Sequence, residues 1–397
     1  MRAIGPALLF LPYTLLSQVW PQLPDFPGTP RDDAAAFAIN GIAYVGSGLG
    51  VGWALESDWY RYDYNAVQWT PIAPLPASPR QYCTAFVVGD TGYVFGGLDS
   101  TGALNELWAY SPMTDTWQQK APMPAAGRYA SCSPYPGYVA CGQFDPASAT
   151  NELWFYEAST DQWYQKSPLP GTSRHRAAGT YEQGSYGYVL GGADSAWTPL
   201  ADSWRYDALN DAWATITDLP EPRFGGSAMM STYYGLTYLF GVTTGGNYLA
   251  SGLHLDNAAW VPSEPMPGTR KGAVAIAGYG PVMNGGGGYF FDYFGTGMDS
   301  TLFRKNDWWG FGFEEGIVEL ATGVLRIHPN PGTNVLNIAL PDLNKVQLIV
   351  RDARGAVVRM ERTFGPTTID MSDQPPGLFT VEALAADFRA RARWIKL

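Results

Sequence analysis

The chain is poor in the residues that most often carry metal and redox chemistry. Its 397 residues include only three cysteines and three histidines, and no two cysteines form a Cys-x-x-Cys pair. The spacing of cysteines and histidines in zinc sites is therefore absent. Charged residues make up only 15% of the sequence, whereas aromatic residues make up 14%. This composition excludes an intrinsically disordered chain, which would be highly charged and poor in aromatic residues.

No apolar run is long enough to span a membrane. The best candidate, Ile4 to Leu16, has 13 residues and is interrupted by glycine and proline, whereas a spanning helix needs about 20. Met1-Arg2 gives a positive start and Ser17 a small residue after the run. This pattern predicts a secretory signal peptide over residues 1–17. A buried N-terminal strand is the alternative.

Clustered positive charge is also lacking. The net charge is −11. Residues 1–316 contain 15 Lys and Arg against 28 Asp and Glu, which gives −13, and residues 317–397 contain 10 against 8, which gives +2. Contacts with phosphates need clustered Lys and Arg, so no nucleic acid is expected as a partner.

Glycine, proline and tryptophan are abundant and partly periodic. The 46 glycines and 31 prolines between aromatic runs favour short strands and tight turns. Tryptophans recur 46 to 50 residues apart, and an arginine follows each after 10 or 11 residues. The two columns are Trp20, Trp69, Trp117, Trp163, Trp213 and Trp260, and Arg31, Arg80, Arg128, Arg174, Arg223 and Arg270.

Each repeat predicts four short strands. A run of small residues follows the arginine, then a strand such as Tyr93 to Gly97 ending in a glycine doublet, then an aromatic strand such as Leu107 to Tyr110. Four strands in about 48 residues indicate the blade of a β-propeller. With its glycine doublet, Tyr and Trp, the repeat resembles the kelch repeat.

The kelch resemblance implies an all-β, six-bladed propeller over residues 18–316, with one blade per Trp and Arg. The chain opens on Trp20, the residue that ends a repeat. We therefore expect Trp20 to lie on the outer strand of the last blade, so that the two ends of the propeller close the ring and leave no open sheet edge.

Candidate binding residues are sought where the blades differ. The arginine column occurs in every repeat, which favours a structural role in bonding turn carbonyls or a carboxylate. Asymmetry appears at the entry to the inner strand, which in kelch propellers often faces the channel mouth. The six pairs there are Asp32-Asp33, Gln81-Tyr82, Tyr129-Ala130, His175-Arg176, Phe224-Gly225 and Lys271-Gly272.

Among these, Arg174, His175 and Arg176 form the most distinctive cluster, with Asp33 and Tyr82 as neighbours around the ring. Such a mixed polar and aromatic rim suits sugars or peptide carboxylates. Solvated loop charge is the alternative for each residue.

Two kelch activities are tested against the sequence. The kelch family includes copper-radical sugar oxidases, whose site has two His, two Tyr and a thioether Cys. Here His328 lies in the C-terminal part, and His175 and His254 fall on different strands, so we do not expect two histidines to meet on one copper ion. A sialic-acid mutarotase needs acid–base groups in the channel, for which residues 174–176 are the only cluster. We therefore assign no catalytic residue, metal or cofactor, and expect a binding protein rather than an enzyme.

The last part of the chain loses the period and alternates apolar and polar residues, which predicts a small antiparallel β-sandwich. Pro329-Asn330-Pro331 opens it, Asp352 and Gly355 mark a hairpin, Gly377 begins an aromatic strand, and Lys396 lies in a basic strand at the terminus. Residues 317–397 thereby resemble the type A C-terminal sorting domain of the type IX (Por) secretion system. His328 replaces the usual Tyr.

This resemblance implies export through the periplasm by the type IX machinery, and a protein that is secreted or displayed on the outer-membrane surface of a Bacteroidota-type bacterium. The leading function is adhesion to an unknown glycan or protein ligand. A sugar-modifying enzyme acting at the channel mouth and a structural module of a surface assembly are the alternatives. In that setting, a disulfide between Cys132 and Cys141 competes with two buried free thiols.

Overall fold

The computed structural model describes two compact units, within Met1–Gly312 and Phe313–Leu397. The described residues are 20–64, 66–182, 184, 186–231, 234–263, 266–280, 289–311, 321–322, 326–339, 346–352, 357–363, 365–385 and 388–397. The predicted signal peptide at residues 1–17 and the predicted start of the sorting domain at residue 317 lie outside them.

The first unit is built of six antiparallel sheets, here called blades 1 to 6. Buried and partly exposed side chains alternate along the strands, as expected for a half-buried sheet. In Ala35–Ile39, for example, every second residue is buried. Blade 1 contains Ala35–Ile39, Ile42–Gly46, Trp59–Asp63 and Gln68–Ile72; blade 2 contains Thr84–Val88, Thr91–Phe95, Leu107–Ser111 and Thr116–Lys120; blade 3 contains Tyr138–Ala140, Leu153–Glu157 and Gln162–Lys166; blade 4 contains Ala178–Tyr181, Tyr186–Leu190, Ser203–Asp207 and Ala212–Ile216; blade 5 contains Ser227–Ser231, Gly235–Leu239, Gly252–Asp256 and Ala259–Pro262; blade 6 contains Val274–Gly280, Tyr289–Gly295, Trp308–Phe311 and Gln22–Leu23.

In blade 3, the inner strand is reduced to a single bridge between Cys132 and Ala140. Two short strand pairs join the segment before an inner strand to the loop after the second strand of the same blade: Arg31–Asp32 with Leu49–Gly50, and Arg223–Phe224 with Val242–Thr243. In blade 3, Gln143–Asp145 and Ser148–Ala149 form a hairpin within that loop.

The predicted closure of the ring is confirmed. Gln22–Leu23 is the fourth strand of blade 6 and pairs antiparallel with Trp308–Phe311, with Leu23 opposite Trp308. Trp20 itself lies two residues before this strand and packs edge-on against Phe294 of the same blade, with ring centroids 4.8 Å apart. The last blade is therefore built from both ends of the propeller sequence.

The tryptophan column joins neighbouring blades. In each of five repeats the indole Nε1 donates a 2.8 Å hydrogen bond to a backbone carbonyl of the segment that leads out of the preceding blade. The donor and acceptor pairs are Trp69 and Pro24, Trp117 and Ala73, Trp163 and Ala121, Trp213 and Ser167, and Trp260 and Thr217. The column is therefore structural, as its regularity indicates: it fills and bonds the wide gaps between blades.

At the axis, the six blades are joined by a closed ring of backbone hydrogen bonds. The amide of one residue per blade donates to the carbonyl of the equivalent residue in the preceding blade, at 2.8 to 3.0 Å. The ring residues, in order, are Asp33, Tyr82, Ala130, Arg176, Gly225 and Gly272, and Asp33 donates to Gly272 to complete the circle. This ring shows directly that the propeller has six blades.

The second unit contains a five-stranded and a three-stranded sheet. The larger sheet is ordered Ala321–Thr322, Phe388–Lys396, Gly377–Ala385, Val346–Arg351 and Val357–Thr363; the smaller one is ordered Arg326–His328, Val335–Ala339 and Thr367–Asp370. Buried side chains from both sheets, including Leu336, Ile369, Val350 and Trp394, form one apolar core. This is the predicted small sandwich.

In the described ranges, the single helical element is the 3-10 turn Val51–Trp53. None of those ranges contains a helix of the length and apolarity needed to cross a membrane.

Candidate functional site at the channel mouth

The ring residues form the wall of a cavity on the propeller axis. The cavity has a volume of about 140 Å³ and is lined by all six ring residues and by the residue that follows each of them. All six ring residues have φ between 52° and 65°, a left-handed conformation that is uncommon outside glycine. Blades 5 and 6 have glycine at this position, Gly225 and Gly272, and blade 3 has Ala130, whose side chain is a single methyl group.

Three large polar side chains remain on the ring, and they contact one another. Arg176 donates a hydrogen bond from Nη2 to the hydroxyl of Tyr82. Its guanidinium carbon lies 4.3 Å from the centroid of the Tyr82 ring, and its Nη1 lies 3.7 Å from Oδ1 of Asp33. Burial and the nearby Asp33 carboxylate raise the pKa of Tyr82, so its hydroxyl stays protonated. The structure thus brings three of the five predicted site residues together across blades 1, 2 and 4.

His175 lies directly behind this group and is fully buried. Its Nε2 contacts the backbone carbonyl of Asp194 at 3.1 Å, and its ring packs edge-on against Trp197 with centroids 4.6 Å apart. Burial and the positive charge of Arg176 lower the pKa of His175 to about 4. The imidazole is therefore neutral at physiological pH, with Nε2 as the donor, and it positions Trp197 beside Arg176.

Arg174 does not join the cavity. Its side chain is fully buried, its Nη2 lies 2.5 Å from Oδ2 of Asp202, and its Nη1 donates to the carbonyl of Gly191 at 2.9 Å. The other arginines of the column behave in a similar way. Four of them pair with Asp58, Glu106, Glu152 and Asp307, whereas Arg223 makes a longer, 3.6 Å contact with the exposed Glu221 and also contacts Ser251. Arg174 therefore belongs to the structural column.

Three residues beyond the five predicted site residues also lie at the mouth: Trp197, Arg304 and Lys271. Trp197 is 44% exposed, and the Arg176 guanidinium carbon lies 5.1 Å from its ring centroid. Arg304 donates from Nε to Oδ1 of Asp32 at 2.6 Å. Burial lowers the pKa of Lys271, while the Asp33 carboxylate opposes this shift.

Trp197 and Arg304 lie on loops between the second and third strands of their blades, and no regular repeat position marks these loops. The sequence feature that could have pointed to Trp197 is that it is a tryptophan outside the periodic column.

Several polar atoms at the mouth are buried without a hydrogen-bond partner among the described residues. They are Oδ2 of Asp33, Oε1 of Gln81, Nδ1 of His175, Nη1 of Arg176 and Nη2 of Arg304. Each belongs to a ring residue, to the residue before one, or to the loop that contacts Asp32. Buried polar groups are normally bonded, so this concentration marks the mouth as a place where a polar ligand would be stabilised.

The described part of the chain has no group of three or more His, Cys, Asp or Glu placed to hold a metal ion. His254 lies on the third strand of blade 5 and packs against Tyr234 with ring centroids 4.7 Å apart, whereas His175 lies at the mouth on blade 4. Cys83, Cys132 and Cys141 are all free thiols. Cys83 lines the cavity, and burial raises its pKa to about 12, so it is present as the neutral thiol.

In the second unit, the Pro-Asn-Pro segment is held by the terminal strand. Asn330 donates from Nδ2 to the carbonyl of Arg393 and accepts from the amide of Ile395, and Trp394 donates to the carbonyl of Pro329. The peptide bonds before Pro329 and Pro331 are cis.

Lys396 is buried and donates to the carbonyls of Met371 and Gln374. Asp352 follows the strand Val346–Arg351, and Gly377 begins the strand Gly377–Ala385. The predicted turn residue Gly355 lies outside the described residues.

Comparisons with known proteins agree with this architecture. A family model described as "KLHDC2/KLHL20/DRC7 Kelch-repeats domain" matches residues 13–170, and one described as "Secretion system C-terminal sorting domain" matches residues 326–396. A solved structure described as "Structure of YjhT" is similar with a TM-score of 0.62 and 18% identity, over 74% of this chain and 98% of that chain. At this identity the likeness shows the fold. No curated protein matches the sequence significantly.

The sorting-domain match indicates export by the type IX machinery, ending in secretion or attachment to the cell surface. Together with the six-blade ring and the kelch match, it shows that the chain is a kelch-repeat β-propeller protein with a type IX (Por) C-terminal sorting domain.

Proposed function

We propose that this exported propeller is an adhesion module that binds a glycan at the channel mouth. The observation that carries the proposal is the group of buried polar atoms without a hydrogen-bond partner near one axial cavity, on two ring residues, on two residues that precede ring residues and on Arg304. Leaving such an atom without a partner costs about 1–3 kcal/mol. A ligand that supplies both donors and acceptors removes this cost, and sugar hydroxyl groups do both.

The shape of the mouth supports the same ligand class. Small-molecule sites are concave and combine apolar or aromatic walls with a few fixed polar groups. Here Trp197 offers a half-exposed aromatic face next to the fixed guanidinium of Arg176. The cavity of about 140 Å³ is far larger than one water molecule requires, so it can take the polar edge of a sugar ring.

The charges at the mouth admit an acidic sugar as well as a neutral one. Arg176, Lys271 and Arg304 face Asp32 and Asp33, whereas the propeller sequence as a whole is strongly acidic. Burial and the adjacent Asp33 raise the pKa of Asp32 to about 7, which further reduces the negative charge near neutral pH. A protein ligand would present a carboxylate to the same groups.

The test is binding of the purified full-length chain to arrays of glycans and of host proteins, with detection of reaction products by mass spectrometry. We expect saturable glycan binding without turnover, and a loss of at least tenfold in affinity for Arg176→Ala. Arg205→Ala is the matched control, because Arg205 stacks on Tyr186 within blade 4, away from the mouth. Binding that Arg176→Ala leaves intact would place the ligand elsewhere.

One observation favours a second candidate, a sugar-modifying enzyme. A carboxyl group with a pKa near 7, as at Asp32, is suited to proton transfer at neutral pH. Arg304 covers this carboxyl, which favours binding over catalysis. A chemically altered sugar in the same experiment would establish the enzyme. No binding and no product would leave a structural module of a surface assembly as the function to pursue.

A further inference from the structure

Two neighbouring loops place exposed apolar side chains beside the mouth. The loop between the second and third strands of blade 1 contains Val51 and Trp53, which are 60% and 69% exposed, and the equivalent loop of blade 6 contains Leu302 and Phe303, which are 61% and 70% exposed. The two loops meet where Arg304 contacts both Trp53 and Asp32.

The indole of Trp53 is held in place from below. The guanidinium carbon of Arg304 lies 4.7 Å from its ring centroid, and the Nε of Arg304 is fixed by the carboxylate of Asp32. Arg304 and Asp32 are 7% and 2% exposed at their side chains, so the support is buried while the outer face of the indole is open. Trp53 also has a φ of 65°, a left-handed conformation that it shares with Leu302 of the equivalent loop of blade 6.

A second, independent feature lies under the same ring. Nη2 of the nine-tenths buried Arg304 has no hydrogen-bond partner among the described residues. The open outer face of the indole can stack on the apolar face of a sugar ring, while Arg304, on the opposite face, holds the indole in place.

We propose that Trp53 and Arg304 form a second sugar subsite, so that the ligand is an oligosaccharide rather than a monosaccharide. The inference rests on the proposed glycan binding at the mouth. Because Asp32, which fixes Arg304, is followed directly by the ring residue Asp33, the two subsites are adjacent, and one chain of two or more pyranose units can occupy both.

The test uses the full-length chain and length-graded oligosaccharides, from monomer to hexamer, of galacturonate, of N-acetylglucosamine and of the glucuronate–N-acetylglucosamine repeat. Affinities are measured by calorimetry and by tryptophan fluorescence. In the wild type we expect the affinity to rise at least tenfold between monomer and trimer. Trp53→Ala should bring the trimer down to the wild-type monomer value, and Arg304→Gln should lower trimer affinity about threefold or more.

Tyr164→Ala is the matched control, because Tyr164 is a half-exposed aromatic residue on the outermost strand of blade 3, Gln162–Lys166. Trp53→Phe, which keeps an aromatic face, should retain part of the length gain and so separates stacking from loss of fold. Equal affinity for monomer and trimer, or a full length gain in Trp53→Ala, would overturn the subsite while leaving glycan binding intact. If binding of a host protein depends on Trp53 and sugar affinity does not rise with length, the subsite is overturned in favour of a protein-docking surface. If no sugar binds the wild type at any length, the proposed function fails, and the subsite fails with it.

Discussion

Arg176 packs over the ring of Tyr82, with its guanidinium carbon 4.3 Å from the ring centroid, and also donates a hydrogen bond to the Tyr82 hydroxyl, so that one tyrosine fixes the arginine in two ways. The contact joins blade 4 to blade 2 across the propeller axis. Each residue takes part in the closed backbone ring. The position of the guanidinium at the mouth is therefore set by the backbone of the ring and by a partner side chain from another blade.

Tyr82→Phe should lower ligand affinity without abolishing binding. The substitution removes the hydroxyl that accepts from Arg176 but keeps the aromatic face, and a hydrogen bond to a charged group contributes about 1.5–3 kcal/mol. We expect a three- to tenfold loss of affinity, and a larger loss for Tyr82→Ala, both measured by calorimetry. Equal losses for Phe and Ala would show that the hydroxyl alone fixes the arginine.

Arg174 and Arg176, two residues apart, should fail in different ways when changed. Arg174→Met leaves the partly exposed carboxylate of Asp202 without its bidentate partner, and breaking a buried pair costs about 3–5 kcal/mol, less where one partner reaches solvent. We therefore expect a loss of about 2–4 kcal/mol in unfolding free energy by denaturant titration. Arg176→Met should instead lose binding with a smaller change in stability. A stable Arg174→Met protein that no longer binds would return Arg174 to the site.

The repeat positions could be predicted from the sequence because each does the same physical work in every blade. Trp117 bonds Ala73 as Trp163 bonds Ala121, so the period is visible and gives the blade count. The same regularity marks a structural arginine column, and it is why Arg174 was better explained by its column than by its neighbours.

The mouth was only partly predictable. The paired entry residues pointed to Asp33, Tyr82 and Arg176, but only the folded structure shows that the second member of each pair forms the axial ring. Trp53 and Trp197 follow their column arginines, Arg31 and Arg174, by 22 and 23 residues and share a φ of 65°. Because four blades lack an aromatic residue at that loop position, a search for regular columns passes over it.

Ser251→Asp should stabilise the propeller. Arg223 is buried like its column partners, but its Nη1 makes only long contacts, with Ser251 Oγ at 3.4 Å and the carbonyl of Phe240 at 3.5 Å. Its one carboxylate contact is with the exposed Glu221 at 3.6 Å, and burial lowers the pKa of Arg223. The spacing of 28 residues equals that of Arg174 and Asp202, so an aspartate has the right reach. We expect a gain of about 1 kcal/mol in unfolding free energy. In an Arg223→Met background the same substitution should give no gain, and a gain there would refute the pairing.

Asp32 should make stability depend on pH in the neutral range. Its folded pKa, raised to about 7, lies above its unfolded value of about 3.9. Between these two pKa values the Asp32 carboxyl is protonated in the folded state and ionised in the unfolded state. Its protonation therefore stabilises the fold at low pH, and this stabilisation is lost as the pH rises through about 7. Relative to wild type, Asp32→Asn should gain about 1–3 kcal/mol between pH 5 and pH 8 in denaturant titrations.

Asp99→Asn is the control for this pH effect. Although burial works against it, hydrogen bonds from Ser78 and Thr101 hold the pKa of Asp99 at about 2. Its contribution is present above the unfolded pKa and lost only in acid, so the difference between Asp99→Asn and wild type should be constant from pH 5 to pH 8. A flat profile for Asp32→Asn as well would show that the Asp32 carboxyl is ionised throughout.

Lys396 should stabilise the folded sorting domain rather than bind the secretion machinery directly. Lys396 ends the strand Phe388–Lys396, which also holds the Pro-Asn-Pro segment. Its buried ammonium group donates to carbonyls of the turn at Met371 and Gln374. Lys396→Met should cost about 2–4 kcal/mol, since hydrogen bonds from charged donors contribute about 1.5–3 kcal/mol each. Hydrogen exchange should report the loss as faster exchange at Met371 and Gln374. Arg393→Met, at an exposed site on the same strand, should leave exchange unchanged. If Lys396→Met blocks export while these amides remain protected, the lysine is instead read directly by the secretion machinery.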